Sequence, residues 1–340
     1  MPDLDNLWKL SNVFSVSIDK LMGNTSYMYA GKALIGIDGG GTKTEFVLFT
    51  EDGRIISRVL LEGCNPNVCG MDKTCAILKL GVDTMLSAHP DVAGVFAGIA
   101  GFLSGDNSGK LKEFFANTYP TLKATLGSDV LNVISSATEL DKCIAVICGT
   151  GFIVYAYHKE LVHRLGGWGY LLDNKGSGTD LGRDALRAAL ADYDGFGEKT
   201  LITSLVTEKL GGDIWKNIDK IYAAGNRFVA SFAPLVFEAY KQGDRQAENI
   251  LQENTDRVAY LINHAAKNCH CGKNVVLAGG LFAEDGIWFD MISQKVEKGL
   301  NLMVPSLPQI YGSCARCGKL YGNLSENFTE NFQRNYKAAY

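Results

Sequence analysis

The stretch Ala33-Leu-Ile-Gly-Ile-Asp-Gly-Gly-Gly-Thr-Lys-Thr-Glu-Phe-Val-Leu-Phe49 decides how the rest of the chain is read. An apolar strand enters a turn of three glycines, Gly39, Gly40 and Gly41. Thr42, Lys43 and Thr44 follow, and a second apolar strand leaves. Glycines carry no Cβ, so the N–H groups of such a turn can converge on a phosphate. Asp38, at the end of the first strand, is suited to help hold a Mg²⁺ ion that bridges phosphate oxygens. A strand rather than a helix follows the turn, which makes it a hairpin phosphate loop and not a Walker-type loop. A tight glycine hairpin that binds nothing has the same local sequence.

The 340 residues are 46% hydrophobic and 21% charged, enough for two domains with proper cores. A net charge of −4 gives no footprint for nucleic acid or an anionic membrane. No apolar run approaches the ~20 residues that span a bilayer, and the N-terminus lacks the pattern of a secretory signal. Nine cysteines, an odd number in a long chain, fit reduced thiols in a cytoplasmic protein. Cys269-His-Cys271 and Cys314-Ala-Arg-Cys317 would make a zinc site only if the fold joined them, and Cys-x-Cys is a poor chelate.

Downstream of the hairpin, strands and helices alternate, which predicts an α/β architecture. Strands are predicted at 54–61, 92–98, 130–135, 143–148 and 274–278. Helices are predicted at 72–86, 179–192, 198–210, 216–242 and 244–268. The strands at 143–148 and 274–278 run into two more glycine turns, Gly149-Thr150-Gly151 and Gly279-Gly280. Sequence repetition between the halves is not visible.

Three glycine turns, each after an apolar strand, are the layout of the actin/hexokinase/Hsp70 superfold. The wider wording narrows this. Asp38–Thr44, Asn65-Pro-Asn-Val-Cys-Gly70, Gly98-Ile-Ala-Gly101 with Gly105-Asp106, Gly149-Thr-Gly151, Gly166-Gly-Trp-Gly169, Gly182-Arg-Asp-Ala-Leu186, Phe232-Ala-Pro-Leu-Val with Gly243-Asp244, and Ala278-Gly-Gly-Leu281 occur in that order. Over residues 33–322 the chain resembles the N-acetylglucosamine kinases of the BadF/BadG/BcrA/BcrD ATPase family. The resemblance implies two ribonuclease-H-like domains with a nucleotide cleft between them, at 30–126 and 127–322. It also implies a C-terminal helix within 323–340 that returns to the first domain, and a homodimer. ATP and Mg²⁺ would be the cofactors. Asp106 sits where the family keeps its base, since transfer to a sugar hydroxyl needs a carboxylate to orient it and accept its proton. Asn65 resembles the sugar-binding asparagine, and Gly167-Trp168-Gly169 the wall of the sugar site. Thr150 and its neighbours resemble the second phosphate turn, and Gly279-Gly280 the adenosine turn. Residues 1–29 read as a partial helix-turn-helix remnant and linker: Pro2–Gly23 resembles the last two helices of a lambda-repressor-type domain, without its recognition helix or a basic face, so no nucleic-acid partner is expected of the chain as written; DNA enters only if the chain extends upstream of Met1.

Three departures from the family pattern stand out. After the strand expected to end at Ser135, the family has an acidic residue; here Ser136-Ala137-Thr138 appears, and Glu139 or Asp141 would have to substitute. The family's Gly-Thr-Gly-Ser turn ends in Phe152. Its Gly-Asp-Glu-Gly-Ser turn reads Asp173-Asn174-Lys175-Gly176-Ser177, where Asn174 keeps hydrogen bonding but not charge, and Lys175 hints at an anionic sugar such as N-acetylmuramate or is simply solvated. One lost electrostatic group commonly costs about 3–4 kcal/mol of transition-state stabilisation. Two functions therefore stay open: an ATP-dependent amino-sugar kinase, and a sugar- or nucleotide-sensing pseudokinase of a helix-turn-helix regulator. A benzoyl-CoA-reductase-type activator would need a cluster-binding pair, for which Cys314 and Cys317 are the candidates.

Overall fold

The structure, a computed structural model, describes Asn6 and residues 33–137, 142–159, 161–283 and 285–338. The helix-turn-helix resemblance, apart from Asn6, lies outside the described residues, as do Glu139 and Asp141.

Two five-stranded sheets share one topology. The first holds β1 (Ala33–Gly39), β2 (Lys43–Phe49), β3 (Ile55–Glu62), β4 (Val92–Ile99) and β5 (Ala124–Ser128) in the order β3-β2-β1-β4-β5. The second holds β6 (Lys142–Cys148), β7 (Phe152–His158), β8 (Leu161–Gly166), β9 (Asn274–Ala278) and β10 (Asn301–Met303) in the order β10-β9-β6-β7-β8. In each, three antiparallel strands are extended by two parallel ones, so β1–β2 and β6–β7 are equivalent hairpins. The duplication is in backbone pairing, which needs only apolar strands and turns in the right order; this is why no sequence repeat betrays it.

Helices α1 (Pro66–Cys69), α2 (Met71–Ala88) and α3 (Asn107–Thr118) belong to the first sheet's side. Next comes α4 (Val130–Ala137), where the sequence predicts a strand at 130–135. The strand is instead Ala124–Ser128, paired with β4 from Val95↔Ala124 to Ile99↔Ser128, so the expected boundary at 126/127 falls inside β5. Val130, Leu131, Asn132, Val133 and Ile134 are all buried, and so short an apolar run cannot be told from a buried strand by its periodicity.

The second sheet carries α5 (Gly178–Asp194), α6 (Leu201–Leu210), α7 (Ile218–Ala230), α8 (Ala233–Lys241), α9 (Arg245–Asn268) and α10 (Ile287–Ser293). The single helix predicted at 216–242 is broken. Gly225 has φ 72° and ψ −173° inside α7, and Pro234 sits in the first turn of α8, where its missing N–H costs nothing.

Two last helices tie back to the first sheet. In α11 (Gln309–Tyr321), Ser313 Oγ accepts from Ile37 N at 2.8 Å and lies 3.0 Å from both Ile37 O and Phe96 O. In α12 (Phe328–Ala338), Phe328 and Phe332 are buried, and the Tyr336 hydroxyl donates to Glu45 Oε1 at 2.9 Å. Glu45 is buried and also receives Arg58 Nε at 2.6 Å. Cys314 and Cys317 are fully buried on α11, the latter's thiol donating to Gly94 O at 3.4 Å, so neither lies at a surface where a second subunit could share a cluster. Cys271 lies in the other sheet's core, apart from that pair. Among the described residues no group of three or more His, Cys, Asp or Glu side chains is arranged for a metal. Among them, too, no helix is long and apolar enough to cross a membrane.

Candidate active site

The first glycine turn closes the β1–β2 hairpin, where Gly40 N donates to Lys43 O at 2.9 Å. Thr42 and Lys43 are exposed at its tip. Thr44 is expected from the sequence among the phosphate-binding residues, but it is fully buried. Its hydroxyl donates to Glu62 O at 2.8 Å, so it ties β2 to β3 instead of facing a ligand.

Behind the turn, Asp38 accepts a 2.7 Å hydrogen bond from Asn132 Nδ2 of α4. Burial pushes the Asp38 carboxyl up to about 7, against that hydrogen bond, and Asp129 adds a like-charge push in the same direction. Asp129 stands between the end of β5 and the start of α4, accepting from Ser128 Oγ and Val130 N, each at 3.0 Å. Burial raises its pKa as well. This acidic residue follows a strand of the first sheet, as the family pattern asks, but the strand ends at Ser128 and not at Ser135. The signal for it is Thr125-Leu-Gly-Ser128 as a short strand with an acid at its end.

The second glycine turn closes β6–β7, with Gly149 N donating to Gly151 O at 2.9 Å. It is braced by the start of α5: Gly178 N donates to Gly149 O at 2.8 Å and Thr179 Oγ1 to Thr150 O at 2.7 Å. Ser177 and Asp180 form a capping box there, which fixes the helix start. Phe152, which replaces a small hydroxyl, is buried in the second core and leaves the turn unobstructed. The third turn abuts the second. Gly279 has φ +108°, and a Cβ on it would lie 2.2 Å from Cys148 O, so only glycine fits. Beside it opens a slot of about 260 Å³ walled by Ser136, Phe282, Val304, Pro305, Leu307 and Pro308. Gly280 faces open space, where a Cβ would meet no atom within 4 Å.

A polar cluster ties the Asn65 turn to the loop that carries Asp106. Asn65 caps α1 by accepting from Asn67 N at 2.9 Å. Asn67 Nδ2 donates to Ser104 Oγ at 2.9 Å, and Asn107 Nδ2 to Asn67 Oδ1 at 3.0 Å and Gly101 O at 2.9 Å. Asp106 precedes α3 but makes no side-chain cap bond, and it is exposed. Its carboxylate is therefore not consumed as a helix cap, the use a lone Asp after Gly most often has.

A family model described as the BadF/BadG/BcrA/BcrD ATPase family matches residues 35–313. The chain belongs to that family. It is 29% identical over 286 residues to an N-acetyl-D-glucosamine kinase of Dictyostelium discoideum, covering 77% of this chain and 89% of that protein. It is 28% identical over 287 residues to an N-acetylmuramic acid/N-acetylglucosamine kinase of Clostridium acetobutylicum, covering 81% and 92%. The crystal structure of a ROK family glucokinase from Streptomyces griseus, in complex with glucose and AMPPNP, superposes with a TM-score of 0.59 at 17% identity, covering 85% and 99%. The fold is thus of the actin/hexokinase type.

Two further positions take on a physical form. Trp168 is 63% exposed, with the Arg164 guanidinium 3.9 Å from its ring centroid, so it is no core tryptophan. Lys175 points away from solvent: its Nζ lies 2.9 Å from Asp184 and 2.7 Å from Glu253, and Asn254 joins the group through Asp184 at 3.0 Å. Its charge is spent inside the second unit, which removes the hint of an anionic sugar. Asn174 beside it is exposed.

Proposed function

We propose that this chain is an ATP-dependent kinase for an amino sugar of the N-acetylglucosamine kind. What supports this reading is a set of three carboxylates, Asp38 at the end of β1, Asp129 at the end of β5 and Asp106 before α3, of which Asp106 is exposed and free of a cap bond. The supposed loss of one of them is the strongest argument for a pseudokinase, and Asp129 answers it. In this reading the triphosphate lies between the Gly39–Gly41 and Gly149–Gly151 turns, whose N–H groups receive its oxygens. The adenosine meets Gly279-Gly280 and the apolar slot beside them. The sugar meets Asn65, Trp168 and Asn174.

The residues fit a Mg²⁺ ion of the kind that keeps several waters and phosphate oxygens. Asp38 and Asp129 are hard oxygen donors whose ionisation burial opposes, and Asn132 Oδ1 beside them is buried without a hydrogen-bond partner among the described residues. Asp38 and Asp129 would hold it, and when bound it supplies charge neutralisation of the phosphates. Asp106 orients the sugar hydroxyl and accepts its proton as that oxygen bonds to the terminal phosphorus. The bond to the bridging oxygen breaks, and ADP leaves. Positioning across two facing turns does most of the work, since the transition state asks little covalent chemistry of the protein. The test is sugar-dependent ADP formation in the wild type and its loss in Asp106→Asn.

A further inference from the structure

The guanidinium of Arg227 crosses from the second unit to the first: its Nη2 donates to Gly41 O, in the first phosphate turn, at 2.8 Å. The geometry points to Arg227 as the residue that binds the terminal phosphate of the nucleotide, an inference that rests on the kinase reading.

Three observations carry it. The break at Gly225 redirects the end of α7, so the residues after it do not continue the line of the helix. That end is then fixed against the second phosphate turn. A Cβ on Gly182 would lie 1.9 Å from Val229 O, one on Gly178 would lie 3.8 Å from Ala230 Cβ, and Gly178 N holds Gly149 O. Arg227, one helical turn before Ala230, is thereby set between the two turns that receive the triphosphate. The third observation is charge. Lys43 and Arg227 are exposed cations at the first turn. A neutral carbonyl occupies one N–H of a group with five donors and does not compensate its charge. A phosphate oxygen is a charge-assisted partner of matching geometry. The Gly41 contact therefore holds the guanidinium at the turn, with donors left for the phosphate.

The test is calorimetric binding of AMP-PNP and of ADP, each with Mg²⁺, to the wild type and to Arg227→Ala and Arg227→Lys, together with their melting temperatures without nucleotide. The expected result for Arg227→Ala is AMP-PNP binding weakened 10- to 100-fold, ADP binding changed less than threefold, and an unchanged melting temperature. Arg227→Lys, which keeps the charge and loses the fork, should fall between. Equal losses for both nucleotides would overturn the inference, because they would reduce Arg227 to a tie that holds the turn in shape. So would unaltered AMP-PNP binding in Arg227→Ala. A wild type that binds AMP-PNP but phosphorylates no sugar would defeat the kinase reading while leaving this comparison decisive, since binding is read without turnover. A wild type that does not bind AMP-PNP would overturn both.

Discussion

Asn132 Nδ2 lies 2.7 Å from Asp38 Oδ1, so a helix that follows the last strand of the first sheet reaches back to the strand that feeds the first glycine turn. The same amide also approaches Gly98 O at 3.3 Å, next to the turn that leads to Asp106. One side chain thus ties together β1, through Ile37 O and Asp38, and β4, through Gly98 O, the two strands that lead to the carboxylates proposed to act.

Burial of Asp38 should make the nucleotide-free protein less stable as its carboxyl ionises. Its pKa in the folded protein is about 7, above the ordinary 3.8, so the stability it contributes is full below pH 4 and is lost as pH rises toward 7. Asp38→Asn removes that loss. The variant should be more stable than the wild type by roughly 4 kcal/mol at pH 8, with the gain shrinking toward pH 4. Denaturant melts at the two pH values measure it, and an equal gain at both would exclude ionisation as the cause.

Asp129 should matter to turnover, and Glu139 should not. Asp129→Asn is expected to lower kcat by about two to three powers of ten with the fold intact, as loss of a preorganised electrostatic group commonly does. Glu139→Gln should change it by less than about threefold, within the range of a substitution away from the reacting groups. Steady-state kinetics on the two variants separates the residue the structure identifies from the one the sequence pattern suggests.

Trp168 offers a direct report of sugar binding. Exposed beneath Arg164, it should change its fluorescence when an amino sugar covers its ring, and Trp168→Phe should abolish that change. Trp168→Ala should raise KM for sugar by about tenfold, the loss of about 1.4 kcal/mol of stacking, and leave KM for ATP unaltered. An equal rise in both would place the ring outside the sugar site.

Lys175 should act on stability and not on sugar choice. Lys175→Ala strips Asp184, whose side chain is only 10% exposed, of its nearer cation and leaves it Arg187 at 3.7 Å, and should cost about 1–3 kcal/mol. The ratio of kcat/KM values for N-acetylglucosamine and N-acetylmuramate should stay within about twofold of the wild type, the margin of a residue that does not touch the sugar. A collapse of N-acetylmuramate turnover alone would return Lys175 to the sugar site.

What is legible in the chain is whatever depends on local chemistry. The hairpin at Ala33–Phe49 and the turns at Gly149 and Gly279 can be read because glycine runs after apolar strands mark them. The strand ends at Asp38 and Cys148 are marked by the turns themselves. Val130–Ile134 is not readable as a helix, because a buried run this short and this rich in valine, leucine and isoleucine has the composition of a buried strand. That one misreading displaces the acidic residue from Asp129 to a position past Ser135. Thr44 looks like a phosphate-binding hydroxyl and proves to be a buried strand tie, a matter of which side of β2 it faces. Arg227 leaves no signal, since its place depends on a break at Gly225 that sends it across the cleft.

The central claim is that Asp106 activates a sugar hydroxyl toward Mg-ATP. The most direct measurement is ADP production with N-acetylglucosamine, N-acetylmuramate, glucosamine and glucose, for the wild type and Asp106→Asn in parallel. Turnover that requires an amino sugar and falls by at least about a hundredfold in the variant is the result this account requires. No sugar-dependent turnover in the wild type, with sugar still raising its melting temperature, would contradict it and identify a sensor.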